Sequence, residues 1–175
     1  MNKPKKKKII ITAICVVIAL YGIHFFRCGL YYVFSSDWER ECLGESFPEI
    51  LIPCDPIDAV RLIALYSQVD NAMCSTECTS SEEAEEKYGK LSRYTFHDGK
   101  TASESHTLLF LTGNVKGDTA YLWISYRQRG YDENGDNTCG SGGSGIFEFF
   151  DLIPARISAE KQNGEWVVTG IREAL

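Results

Sequence analysis

The chain has 175 residues, 18 of them basic and 24 acidic, and a formal net charge of −6 at pH 7. All of the acidic residues follow Cys28, together with 12 basic ones, so the chain from Gly29 onward carries a formal charge of −12. A surface of this charge repels nucleic acid and anionic lipid headgroups, which excludes a nucleic-acid-binding function.

The first element is an unbroken run of 18 uncharged, mostly apolar residues from Ile9 to Phe26, preceded by five lysines and closed by Arg27. As a helix this run would be about 27 Å long, close to the thickness of a bilayer's hydrocarbon core. Because the lysines lie on its amino-terminal side, residues 1–8 are predicted to be cytoplasmic and the rest of the chain extracytoplasmic. The sequence thus predicts a single-pass protein of the cell membrane that contacts lipid through Ile9–Phe26.

A cleaved signal peptide is the alternative interpretation of this segment. Its basic tail and apolar run fit, but 18 residues is long for the apolar part of a signal peptide. A small-x-small cleavage pattern is also missing just after the run. An uncleaved anchor is therefore favoured, and removal of the segment stays open.

Six of the seven cysteines follow the apolar run. An even number outside the cytoplasm predicts disulfides, although six cysteines allow 15 connectivities, and free thiols remain the alternative. The spacing does not predict a zinc site, because ligand pairs at metal-binding distances are lacking, and we expect no cofactor. The disulfide candidates are Cys28, Cys42, Cys54, Cys74, Cys78 and Cys139.

The extracytoplasmic part begins with a connector, residues 27–54, in which Ser36-Asp37-Trp38-Glu39 has the capping-box spacing of a short helix. Asp55-Pro56 then marks the start of a longer helix that ends near Ala72. Its core-facing stripe is predicted to be Val60, Ile63, Tyr66, Val69 and Met73. A second capping box at Ser80 opens an acidic helix that ends near Gly89, and Leu91–His97 is predicted to be a short strand.

The second half of the domain has the pattern of strands. A hairpin about Asn163-Gly164 is the strongest turn signal in the chain, Gly130–Gly145 is predicted to be a loop, and Pro154 is expected to end a strand. The predicted strands are His106–Val115, Thr119–Arg129, Ile146–Ile153, Arg156–Lys161 and Glu165–Arg172. Residues 55–175 therefore form an α+β domain in which helices pack on a curved antiparallel sheet.

This order of helices and long hairpins, with a last strand that opens Asn163-Gly164-Glu165-Trp166-Val167-Val168, resembles the nuclear-transport-factor-like cone. The superfamily includes ketosteroid isomerase and many anchored extracytoplasmic bacterial domains. The resemblance covers about Asp55 to Leu175. It implies a curved sheet wrapped round a helix, with an apolar pocket in many members.

Three acid–base candidates stand in strand-like sequence. Glu148 lies between aromatic residues, where burial would raise its pKa and suit it to general acid or base catalysis. Asp151 and the strand-end histidine His106 are further candidates. An edge or solvent-facing position is favoured for Glu148 from strand alternation alone.

Asp132, Asn134 and Asp136 occupy positions one, three and five of a calcium-loop pattern. Asn137 stands at position six, where the pattern requires glycine, and Gly143 at position twelve, where it requires glutamate. An ordinary polar loop is favoured over a calcium site.

These features together favour a membrane-anchored binding domain that contacts a protein partner or a small apolar ligand, and not an enzyme. The alternatives are a small pocket enzyme that uses Glu148 or Asp151, and an accessory subunit of an envelope assembly. An exposed apolar patch over a filled core would favour the binding domain, and a closed pocket with one buried acid would favour the enzyme.

Overall fold

The computed structural model describes residues 3–34, 44, 56–141 and 152–173. Helix α1 comprises Lys3–Phe34. The described side chains between Lys8 and Phe26 are all exposed, and isoleucine and valine residues recur on every side of the helix. The predicted span Ile9–Phe26 lies in this helix.

The structure describes no side chains for residues 1–7, His24 and residues 27–43. Within the described side chains, no helix is both long enough and apolar enough to cross a membrane.

In the part of the chain that the structure describes, two further α-helices and a 3-10 helix lie before the sheet. Helix α2 comprises Pro56–Met73 and helix α3 comprises Ser81–Tyr88. The capping box of α3 is confirmed, because the Ser80 hydroxyl accepts a hydrogen bond from the Glu83 amide at 3.2 Å. The predicted strand Leu91–His97 is wrong: Gly89–Tyr94 is a 3-10 helix, and its two buried residues, Leu91 and Tyr94, follow the three-residue period of that helix.

The described residues contain five strands: β1 Ser103–Lys116, β2 Thr119–Tyr131, β3 Asn137–Ser141, β4 Ile153–Gln162 and β5 Glu165–Glu173. They form one antiparallel sheet with the order β1-β2-β4-β5, and β3 also pairs with β2. Strand β2 is central and covered on both faces, as predicted: Leu122 and Ile124 face the main core, while Trp123 packs on Leu111 on the opposite face. Bulges at Phe110/Thr112 and Ser158/Ala159 interrupt the register and curve the sheet.

The hairpin at Asn163-Gly164 is confirmed, with φ values of 52° and 93° that identify a type I′ turn. Two expectations about strand ends are wrong. Part of the predicted Gly130–Gly145 loop is strand β3, and Pro154 lies inside β4, paired with Ser125. A proline is tolerated there because it is the second residue of the strand, next to its start.

The main core lies between α2 and the sheet. Its helix side chains are Leu62, Leu65, Val69, Ala72 and Met73, which are at most 1% exposed. The predicted stripe was therefore assigned to the wrong side in the first half of α2, because Val60 is 67% and Ile63 is 60% exposed. Apolar residues surround this part of the helix, so spacing alone did not define its buried face.

Candidate functional site

Helix α2 lies along strand β1, and the distance between the contacting residues on the helix matches the distance between their partners on the strand. Tyr66, Asp70 and Cys74 recur every fourth residue on one line of the helix and rise about 12 Å from first to last. On β1, the alternate residues Phe110 and His106 share the face beneath this line and are separated by about 13 Å. Tyr66 meets Phe110 edge to face, with ring centroids 6.1 Å apart, and Cys74 lies over His106.

Two hydrogen bonds hold the helix in this register. The Tyr66 hydroxyl donates to the Leu108 carbonyl at 3.0 Å. At the other end, the buried side-chain amide of Gln128 donates to the Met73 carbonyl at 2.8 Å and also to the Tyr94 carbonyl. Gln128 is the cross-strand partner of His106, so the carboxyl end of α2 is fixed directly beside the histidine.

Asp70, Cys74 and His106 form a polar cluster, here called the Asp–Cys–His cluster. The Cys74 Sγ atom lies 3.3 Å from Nδ1 and 3.4 Å from Nε2 of His106. Nε2 is also 3.0 Å from Oδ1 of Asp70, and the three ligand atoms all lie within 4.8 Å of one another. The side chains of Asp70 and His106 are 43% and 22% exposed, so solutes reach the cluster from solvent.

The electrostatic surroundings disfavour a thiolate. Burial, followed by the negative charges of Asp70 and Glu104, raises the pKa of the Cys74 thiol to about 11. Burial and Asp70 also raise the pKa of the Tyr66 hydroxyl. Negative charge thus accumulates where the helix ends, and a cation at this position would be stabilised.

The cluster contains the residue types of a cysteine–histidine catalytic pair, but its geometry does not match one. A histidine that activates a thiol bonds it through one ring nitrogen, which is then distinctly closer to the sulfur than the other. Here the two distances are nearly equal, so the sulfur lies outside the direction of either nitrogen's lone pair. Together with the raised thiol pKa, this favours a ligand set over a nucleophile.

An open cleft of about 530 Å³ adjoins the cluster, and Cys74 contributes to its wall. On the far side of the cleft, Glu77 accepts hydrogen bonds from Lys87 at 2.7 Å and from the Tyr88 hydroxyl. These bonds hold the pKa of Glu77 below its usual value. The wall consists of Asn71, Cys74, Ser75, Thr76, Glu77, Lys87 and Tyr88.

A second carboxylate, Glu173 near the end of β5, is buried beside a separate cavity of about 390 Å³. One oxygen accepts hydrogen bonds from Tyr94 at 2.6 Å and Tyr126 at 2.8 Å, and the other accepts from Arg93 at 2.6 Å. Burial and the charge of Glu173 raise the pKa of Tyr94. A carboxylate that already accepts three hydrogen bonds is a poor general base, so we assign Glu173 a structural role.

The amino-terminal half of α2 presents an exposed aliphatic stripe, here called the apolar face of α2 (Ile57, Val60 and Ile63). These side chains are 60–67% exposed and recur every third residue. Beside them, Tyr66 and Phe110 help to line an apolar groove of about 320 Å³. Exposed apolar residues arranged in this way are typical of interaction surfaces.

The structure tests some of the residues singled out from the sequence. Glu148 and Asp151 lie outside the described residues, whereas His106 is in the Asp–Cys–His cluster. The predicted calcium loop folds as a turn, in which Oδ1 of Asp132 accepts hydrogen bonds from the amides of Asn134 at 2.8 Å and Asp136 at 2.9 Å. That carboxylate oxygen is already occupied by the loop's own amides.

The cysteines give no disulfide among the described residues. Cys74, Cys78 and Cys139 are free thiols, so the structure does not support the disulfide prediction for these three. The side chains of Cys28, Cys42 and Cys54 lie outside the described part of the chain. Sequence analysis missed the partnership of Cys74 with Asp70, for which the only signal is their four-residue separation.

No family model and no curated protein matches this chain. Solved structures similar to it include the designed protein Rd1NTF2_05 carrying five substitutions, which is 13% identical with a TM-score of 0.36 and covers 69% of this chain and 100% of its own. The association domain of C. elegans CaMKII is 14% identical with a TM-score of 0.35, covering 67% of this chain and 93% of its own.

A nuclear transport factor 2-like superfamily protein from Salmonella enterica serovar Typhimurium is 14% identical with a TM-score of 0.34, covering 66% of this chain and 82% of its own. Two of these three structures are named for the superfamily that the sequence resembles. With TM-scores below 0.5, the likeness carries no argument about the activity or partners of this chain.

Proposed function

We propose that this chain is a single-pass membrane protein whose extracytoplasmic α+β domain binds a partner protein through the apolar face of α2. The observation that carries the proposal is the exposure of Ile57, Val60 and Ile63 on the helix whose other side packs in the main core. Aliphatic side chains at this spacing form a continuous apolar surface on which the apolar side chains of a second protein can pack.

The charge of the domain favours a protein as the occupant of this face. The chain from Gly29 onward carries a formal charge of −12, which repels the anionic headgroups of a bilayer surface. The stripe also extends along the helix to Ile57, beyond the lining of the 320 Å³ groove, so a small apolar ligand would leave part of it uncovered. A partner with apolar side chains flanked by basic ones is complementary to both features.

The anchor is supported by the sequence and by the character of α1. Apolar residues surround this helix from Ile9 to Phe26, whereas a helix on the surface of a soluble domain has a polar face. The lysines before it place the domain outside the cytoplasm under the positive-inside rule. An accessory role in an envelope assembly is one form of the proposed function.

Topology is tested by labelling cysteines in intact cells with a membrane-impermeant maleimide. Cys139 is exposed on β3 and is expected to be modified before the cells are opened, whereas Cys15, in the middle of the apolar run, is expected to stay unmodified. Mass spectrometry of the peptides reads each cysteine separately, and Cys139→Ser is the matched control. Labelling of Cys139 that appears only after permeabilisation would contradict the proposed topology.

Binding is tested by photo-crosslinking in living host cells, with a benzoylphenylalanine probe in place of Val60. We expect one discrete protein adduct from this position. Adding Ile63→Asp is expected to lower the adduct yield at least tenfold, because a charged side chain opposes burial of the apolar face of α2. A probe in place of Glu160, which is exposed on β4, is the control. Equal adduct yields from positions 60 and 160, or an adduct that is indifferent to Ile63→Asp, would refute the docking surface.

A further inference from the structure

The Asp–Cys–His cluster combines one sulfur, one nitrogen and one oxygen ligand within 4.8 Å of one another. Zinc–ligand bonds of about 2.0–2.3 Å in a tetrahedron place neighbouring ligand atoms about 3.4–3.6 Å apart. From the single nitrogen Nε2 of His106, the observed separations are 3.4 Å to Cys74 Sγ and 3.0 Å to Asp70 Oδ1. A small rotation of the imidazole, with slight expansion of the group, would point one nitrogen between the sulfur and the carboxylate.

The donor set distinguishes among metals. Calcium and magnesium are bound by oxygen ligands, and the cluster offers one carboxylate beside a thiol and an imidazole. Cysteine, histidine and aspartate are together the protein ligands of zinc. The negative charges of Asp70 and Glu104, which surround the sulfur, attract a divalent cation.

The scaffold is prepared for this role before any ion binds. The two anchoring bonds, from Tyr66 to Leu108 and from Gln128 to Met73, fix the helix end over the strand. A ligand set held on a helix and a strand loses little conformational freedom when an ion enters.

We propose that Asp70, Cys74 and His106 bind a zinc ion with three protein ligands. Three ligands leave the fourth tetrahedral position to water or to a further ligand, an arrangement typical of zinc sites that interact with other molecules. The open cleft of about 530 Å³ adjoins the cluster at Cys74. Zinc binding here goes beyond the docking function and uses residues other than Ile57, Val60 and Ile63.

The test uses the full chain without a histidine tag, purified in mild detergent under reducing conditions and stripped with chelator. Titration with Zn²⁺ by calorimetry is expected to give one ion per chain. Titration with Co²⁺, a spectroscopic substitute for zinc, is expected to give a sulfur-to-cobalt charge-transfer band. Cys74→Ser is expected to abolish this band.

Loss of an outer-shell group that supports a metal ligand typically weakens metal binding about 10- to 100-fold. Asp70→Asn and His106→Gln remove ligands themselves and are expected to weaken Zn²⁺ binding by at least this much. The matched controls Asp132→Asn, Cys139→Ser and His97→Gln replace the same residue types outside the cluster and are expected to retain full affinity. Circular dichroism checks that each variant is folded, and zinc should raise the melting temperature of the wild type and the controls but not of Cys74→Ser. Absence of stoichiometric binding, or binding that survives all three cluster variants, would overturn the proposal.

Discussion

Replacing Leu65 by alanine is expected to lower the free energy of unfolding by about 3–4 kcal/mol. Leu65 is fully buried in the core between α2 and the sheet, so the truncation removes apolar contacts and leaves a cavity. Two residues earlier, Ile63 is 60% exposed. Ile63→Ala is therefore expected to change the free energy of unfolding by no more than about 0.5 kcal/mol.

The comparison is made by urea denaturation of the full chain in mild detergent, followed by tryptophan fluorescence, since Trp123 and Trp166 are both buried. The two variants differ little in chemistry and lie within one turn of the same helix, which makes each a control for the other. A loss from Ile63→Ala as large as that from Leu65→Ala would mean that α2 buries the stripe predicted from spacing, and would remove the apolar face on which the docking proposal depends.

Gln128→Met is expected to destabilise the domain by about 2–6 kcal/mol. The side-chain amide of Gln128 is buried and donates to the carbonyls of Met73 and Tyr94. Methionine has a similar shape but no donor, and each buried carbonyl left without a partner costs about 1–3 kcal/mol. The same denaturation experiment measures the loss.

Gln162→Met, at an exposed position on β4, is the control for the change of residue type and is expected to have an effect within about 0.5 kcal/mol. If Gln128→Met were as stable as this control, other groups would satisfy the two carbonyls and Gln128 would not fix the end of α2. Gln128 would then not be the residue that holds Cys74 over His106.

The features predicted correctly from the sequence are local. The hairpin at Asn163-Gly164 and the capping box at Ser80 each depend on residues within a few positions of one another. They can therefore be predicted without knowledge of the tertiary structure. The covered faces of β2 were also predictable, because its alternation is apolar on both sides. The helix–sheet class of the domain follows from these elements.

The features predicted wrongly depend on tertiary context. Pro154 was expected to end a strand, but proximity to the start of β4 makes it harmless there. Val60 and Ile63 have the spacing of a core stripe, yet the sheet contacts the neighbouring line of α2 that contains Leu62 and Leu65. Hydropathy does not distinguish two apolar faces of one helix.

The Asp–Cys–His cluster was beyond sequence analysis for a related reason. Cys74 and His106 are 32 residues apart, on a helix end and a strand, and such a pair has no characteristic spacing. Metal-ligand patterns are recognised when the ligands lie close together in the chain. Here the register of α2 over β1, set by Tyr66 and Gln128, brings them together.

The bulge between Phe110 and Thr112 has a consequence for how copies of the domain meet one another. It lies in β1, the first strand of the sheet order. Outermost strands are templates on which further chains can add, and long flat ones promote fibrous aggregation. Because the bulge shifts the ladder and increases its local twist, a neighbouring copy can align with β1 on one side of the bulge but not along its whole length. Among the described strands, the bulge therefore opposes strand-to-strand pairing of two copies along the full length of β1.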